Sequence, residues 1–250
     1  MALGLASALV AAAFFTAIIS AVVGMGGGLT LLGLMTAALP PTWVVPLHAV
    51  VQLFSNFTRT LVFLRQVSWK IFLVYLLPMA GGVALGTLAW RPTQMGYLKP
   101  AIGLFILCFL AWRRFGAERF GQKNLPLWTF APVGLFVGFL TLFVGATGPF
   151  VAPFFLRDDL SKEQSVATKA ACQAIGHALK VPAFLSLGFD FSPHLPLVAA
   201  MVLAVVVGTV VGKAILHRIS RRFFLILFES VLVAMAAWLL LGPSLRDLLG

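Results

Sequence analysis

Charge is scarce in this chain. Only 10% of its 250 residues are charged and 7 are acidic, where a soluble domain carries about a quarter charged residues. A water-facing surface cannot be assembled from so few charges, so lipid is the expected solvent. Cysteine is limited to Cys108 and Cys172, both in apolar segments, which gives neither a metal-binding spacing nor a disulfide framework. The chain lacks the glycine-rich loop that ends in Lys and Ser/Thr, the H-E-x-x-H helix and the G-x-S-x-G elbow. ATP-driven transport by this chain alone is therefore excluded, and no cofactor or catalytic residue is expected.

Apolar residues are abundant: 61% of the chain, with a mean hydropathy of +1.04. The runs at 127–145, 195–213 and 223–241 each approach the roughly 20 residues that a bilayer requires. Lipid leaves no backbone group free to bond water, so such a chain folds as helices. Residues 1–21 have no basic leading region and too long an apolar run for a signal peptide, so this segment is expected to be retained. The net charge of +11 does not point to nucleic acid, because the basic residues cluster in short loops between apolar runs.

Helices are expected at 3–23, 29–39, 43–64, 70–90, 97–113, 127–144, 150–156, 165–187, 195–213 and 222–242. Glycine-rich breaks, Gly24-Met25-Gly26-Gly27-Gly28 and Gly145-Ala146-Thr147-Gly148-Pro149, interrupt the first apolar segment of each half. At an offset of 121 residues Gly24 falls on Gly145, Ala49 on Ala170, Gln52 on Gln173, Arg59 on Lys180 and Phe63-Leu64 on Phe184-Leu185. One residue later, Gly86-Thr87 falls on Gly208-Thr209. The expected fold is an all-α integral membrane protein made of an internal duplication. Residues 1–114 form the first repeat, 115–125 a cytoplasmic linker and 126–250 the second repeat. Each half is a glycine-broken hairpin plus three transmembrane helices. That makes eight full spans counting each hairpin's first arm, and ten counting both arms.

The distribution of Lys and Arg orients the repeats. If each broken segment returns to its starting side, 12 of the 18 basic residues fall in loops on one face and Arg91, Lys99 and Arg246 on the other. The positive-inside bias makes the first face cytoplasmic, with both termini outside. A hairpin plus three spans then inserts the second repeat upside down relative to the first, a plan that places a site at the midplane between the repeats.

Three basic residues remain, Arg59, Lys169 and Lys180, all on the helix that follows each hairpin. His48, Gln52, Asn56 and Arg59 share one helical stripe, and Lys169, Gln173, His177 and Lys180 repeat its spacing. Ionisable groups inside a span cost about 2.5–3.5 kcal/mol each on insertion scales and generally face a cavity or a partner. Lys169 and Arg59 also lie near enough to a helix end to snorkel, and His48 is open to an interfacial reading. The glycine breaks start helices at membrane depth, with free N–H groups and the positive end of the dipole directed at the break. The expected substrate-binding residues are Gly26, Gly27, Gly28, Gln52, Asn56, Arg59, Thr147, Gly148, Gln173, His177 and Lys180. His48, His177 and Glu229 are candidates for proton coupling, although Glu229 is equally readable as a partner for a basic residue. Cys172, beside the second stripe, reads as packing.

The break at 24–28 after a first apolar helix, its counterpart at 145–149 and the duplicated layout resemble the TauE/SafE sulfite exporter family of anion transporters. The resemblance covers essentially the whole chain. It implies a bacterial-type inner-membrane protein that moves sulfite, sulfonates such as sulfoacetate, or related small anions, with the lipid bilayer as its other partner. A passive anion channel and, less readily, a membrane-embedded enzyme are the rival readings, and a homodimer is compatible with the sequence.

Overall fold

The computed structural model describes residues 3–23, 26–90, 125–155, 157 and 159–215, with isolated helical positions between 103 and 115 and between 230 and 241. The expected helices at 97–113 and 222–242 and the linker at 115–125 fall largely outside the described residues, and Glu229 falls wholly outside them. Among the described residues the regular structure is entirely helical: α1 (Leu3–Val23), α2 (Gly27–Ala38), α3 (Pro41–Val62), α4 (Trp69–Ala89), α5 (Phe130–Val144), α6 (Gly148–Phe155), α7 (Lys162–Ser186) and α8 (Leu195–Ile215). Short 3-10 turns precede α4, α5 and α8.

Local chemistry sets the boundaries. Pro41 occupies the first turn of α3, where its missing N–H costs nothing, so α3 begins two residues earlier than expected. Ser161 and Gln164 form a reciprocal capping box that starts α7, satisfying two orphan donors and extending this helix three residues upstream of the expected start. Gly26 (φ 95°) and Gly145 (φ 81°) take the left-handed backbone at the two breaks, a conformation that glycine adopts without penalty.

Four described segments are long and apolar enough to cross a membrane: Leu3–Val22, Trp69–Ala89, Leu127–Val144 and Ser192–Ala214. Their outward faces are greasy, with Leu77, Leu88 and Leu203 exposed to 77%, 75% and 66%. The polar side chains are inside instead: Gln52, Arg59 and Lys169 are only 5%, 3% and 4% exposed. Apolar outside and polar inside is the arrangement expected when the surroundings are lipid. Helices α3 and α7, at 22 and 25 residues, are long enough to span but carry the polar stripes.

The helices pack as two flanking pairs, α1 with α8 and α4 with α5, around a central pair, α3 with α7; α8 also packs on α3, and α4 on α7. Exchanging the halves of the chain maps each flanking pair onto the other and the central pair onto itself. Glycines make the flanking contacts close. A Cβ placed on Gly82 or Gly138 would stand 2.0 Å from Leu135 O or 2.3 Å from Met79 O, and one on Gly208 would stand 2.4 Å from Phe14 O. Without water to drive association, such close backbone approach supplies the packing between spans.

These contacts also give direction. Tyr75 and Met79 on α4 meet Gly134 and Gly138 on α5 in the same order, so α4 and α5 run parallel. Phe14 and Ile18 on α1 meet Gly208 and Gly212 on α8 in the same order, so that pair is parallel too.

Replacing Gly138 by Leu must push α4 and α5 apart. An expected destabilisation of about 1–3 kcal/mol should appear as a lower thermal unfolding midpoint in detergent. Gly4→Ala, where a Cβ meets nothing within 4 Å, should leave the midpoint unchanged.

Candidate functional site

The two polar stripes meet in the middle of the molecule. His48 on α3 lies beside His177 on α7, with ring centroids 5.8 Å apart. Beyond the other end of α3, Ser68 N–H donates to Thr168 Oγ1 at 2.9 Å, near the start of α7. As numbers rise along α3 they fall along α7, so these helices cross antiparallel.

Around this crossing is a small cavity of about 30 Å³, lined by Ser20, Gly26, Gly28, Leu29, His48, Gln52, Asn56, Arg59, Ala146, Gly148, Lys169, Gln173 and His177. That is room for about two water molecules. Both glycine breaks and both stripes contribute. Each stripe glutamine rests against the helix start of its own half: a Cβ on Gly28 would lie 3.0 Å from Gln52 Oε1, and one on Gly148 would lie 2.6 Å from Gln173 Nε2. Glycine at these positions makes room for the carboxamides.

The two helix starts are not equal as donors. The first turn of α2 presents the N–H groups of Gly27, Gly28 and Leu29, and Thr30 N–H is the first to bond back, to Gly26 O at 2.9 Å. In α6, Pro149 has no N–H, and Phe150 N–H bonds Thr147 O at 3.0 Å. The α2 start is therefore the richer anion-facing end.

His48 Nε2 stands 2.8 Å from Gly28 O. A carbonyl oxygen only accepts, so Nε2 carries the proton and donates. Nδ1 of His48 and Nδ1 of His177 are buried with no hydrogen-bond partner among the described residues, as are Nε and Nη2 of Arg59. Arg59 makes one side-chain contact, Nη1 donating to Asn56 Oδ1 at 3.2 Å. A guanidinium has five N–H donors, and leaving buried ones unpaired is costly. This cation is prepared for an acceptor.

Lys180, the counterpart of Arg59 in the second half, behaves differently. Its ammonium donates to Gly145 O at 2.6 Å and to Thr141 O at 3.4 Å, which are carbonyls at the end of α5. It neutralises the negative end of a broken helix and does not line the cavity.

Of the expected contact residues, Gly26, Gly28, Gln52, Asn56, Arg59, Gly148, Gln173 and His177 line the cavity together, as does the proton-coupling candidate His48. Gly27, Thr147 and Lys180 do not. A Cβ on Gly27 would lie 1.9 Å from Thr16 O, so this glycine serves the contact of α2 with α1. Thr147 is buried and its carbonyl caps α6. Lys169, readable from the sequence as a snorkelling residue, is in the cavity wall. Ser20 was not anticipated; its only signal is its place at the offset of 121 from Thr141, one turn before a break. Cys172 is buried among apolar side chains.

The contrast between the two equivalent cations is measurable. Lys180→Gln leaves the α5 carbonyls without their cation and should lower stability by about 1–3 kcal/mol. Arg59→Gln removes an unpaired buried charge and should be neutral or stabilising in anion-free protein. Thermal unfolding in detergent without added oxyanion reads both.

No curated protein and no solved structure matches the chain. The family model described as sulfite exporter TauE/SafE matches residues 9–239, nearly the whole chain. A central polar cavity walled by cations, amides and interrupted helix starts suits a protein that handles small anions within a membrane. The chain belongs to the TauE/SafE sulfite exporter family.

Proposed function

We propose that the chain is a secondary transporter of small anions, sulfite or sulfonates, working by alternating access between two inverted repeats. The observation that carries this reading is the buried cavity at the α3–α7 crossing, where Arg59 presents unpartnered donors beside Gln52, Gln173 and the start of α2. The anion lies among these groups, held by Arg59, the two carboxamides and the amides of residues 28 and 29.

Helix directions support the inverted arrangement. Helix α4 starts on the face where α3 ends, and α5, parallel to α4, starts on that face as well. Helix α7, antiparallel to α3, also starts there, so the segment from α5 to α6 returns to its own side. The same reasoning on α8 and α1 brings the segment from α1 to α2 back to the opposite face. Arg65, Lys70, Arg157 and Lys162 then share one face, which the positive-inside bias makes cytoplasmic. The first residues of the chain lie outside and the protein resides in a bacterial-type inner membrane. Rocking of one repeat against the other opens the cavity to each side in turn.

Gln52→Ala and Gln173→Ala should each weaken sulfite binding about tenfold or more, the loss of one or two hydrogen bonds to a charged ligand, while folded protein remains in the membrane. Titration calorimetry on purified protein measures this, and unchanged affinity in both variants sinks the proposed cavity. Saturable sulfite exchange between preloaded vesicles is expected of a carrier. Ohmic single-channel currents would replace that mechanism by a pore.

A further inference from the structure

The cavity wall carries two formal positive charges, Arg59 and Lys169, and the next nearest cation, Lys180, is committed to the α5 carbonyls. No acidic residue among the described ones lines it: Asp159, Glu163 and Asp190 all belong to the loops or to the first turn of α7. The two histidines, each with Nδ1 buried and unpartnered among the described residues, are read as neutral and add none. Arg59 and Lys169 are each more than nine-tenths buried, and Arg59 keeps Nε and Nη2 without a partner among the described residues. Two like charges confined at one end of a small chamber repel each other. A monoanion leaves one charge uncompensated in a poorly screened interior, whereas an ion of charge −2 cancels both.

We propose that the cavity selects its anion by charge, taking dianions (oxyanions of charge −2, or sulfonates bearing a second anionic group) in preference to monoanions of the same shape. This rests on the reading of the cavity as the anion site. Arg59 supplies a planar fork that matches two oxygens, and Lys169 supplies a point charge for the second negative centre. The amides at the start of α2 complete the shell without adding an integral charge. A zwitterionic aminosulfonate, with its own ammonium, is refused by the same pair of cations.

Matched anion pairs separate charge from shape. Sulfate and methanesulfonate differ by one oxygen replaced with methyl. Sulfoacetate and isethionate differ by a carboxylate replaced with a hydroxymethyl group. Titration calorimetry on the purified full chain, with sulfite in parallel, should give at least about tenfold tighter binding of the dianion in one or both pairs. Lys169→Gln should reduce dianion affinity by about tenfold while changing monoanion affinity by less than about threefold, and Lys169→Arg should restore the preference. The monoanion binding as tightly as the dianion in both pairs overturns the proposal, as does an equal loss for both classes in Lys169→Gln. Sulfite binding with all four other anions refused also overturns it, since shape would then decide. Failure of every anion, sulfite included, removes the anion site itself. If Lys169→Gln does not fold, the wild-type comparison of the two pairs decides alone.

Discussion

Interrupting a helix inside a membrane exposes peptide N–H and C=O groups where no water can bond them, and that debt organises the centre of this protein. On the carbonyl side, Lys180 bonds Gly145 O and Thr141 O. On the amide side, Gly28 and Leu29 of the first turn of α2 line the cavity. The breaks are tolerable because each is walled by protein, Gly145 by Leu32 and Val45 and Gly26 by the cavity wall that the polar stripes of α3 and α7 complete. The conditions that make the breaks survivable also make the chamber electropositive.

The rest of the molecule holds this centre in place. Helices α1 and α8 on one side, and α4 and α5 on the other, approach until backbone meets backbone at glycine. Their outer faces carry leucine exposed to lipid. At these glycines little side-chain layer separates the paired helices. The polar crossing of α3 and α7 lies between the two pairs and encloses the cavity.

Much of this was legible in the sequence. Four-residue and three-residue spacings placed His48, Gln52, Asn56 and Arg59 on one face, and the offset of 121 placed Gln173 and His177 opposite them. The glycine runs announced the breaks. What remained hidden was the pointing direction of long side chains. Lys180 and Arg59 are equivalent by position, yet one reaches a carbonyl and the other reaches the cavity, a choice set by three-dimensional neighbours that periodicity does not encode. Lys169 was ambiguous for the same reason: one turn from a helix end is compatible with either a lipid headgroup or a cavity until the partner helix is in place. Gly27 and Thr147 were drawn into the expected site by adjacency, because a glycine-rich run does not reveal which of its members faces a ligand and which faces a neighbouring helix.

The antiparallel crossing of α3 and α7 means that duplicated positions do not sit across from their own copies. Gln52 and Gln173 are the exception near the axis; away from it, His48 faces His177 while Asn56 and Arg59 share their end with Lys169. Each end of the chamber is therefore composed of the early part of one stripe and the late part of the other. A single residue change on one helix alters one end and leaves the opposite end untouched. Two stripes of matching spacing thus give the chamber two chemically distinct poles, one walled by imidazoles and the other cationic.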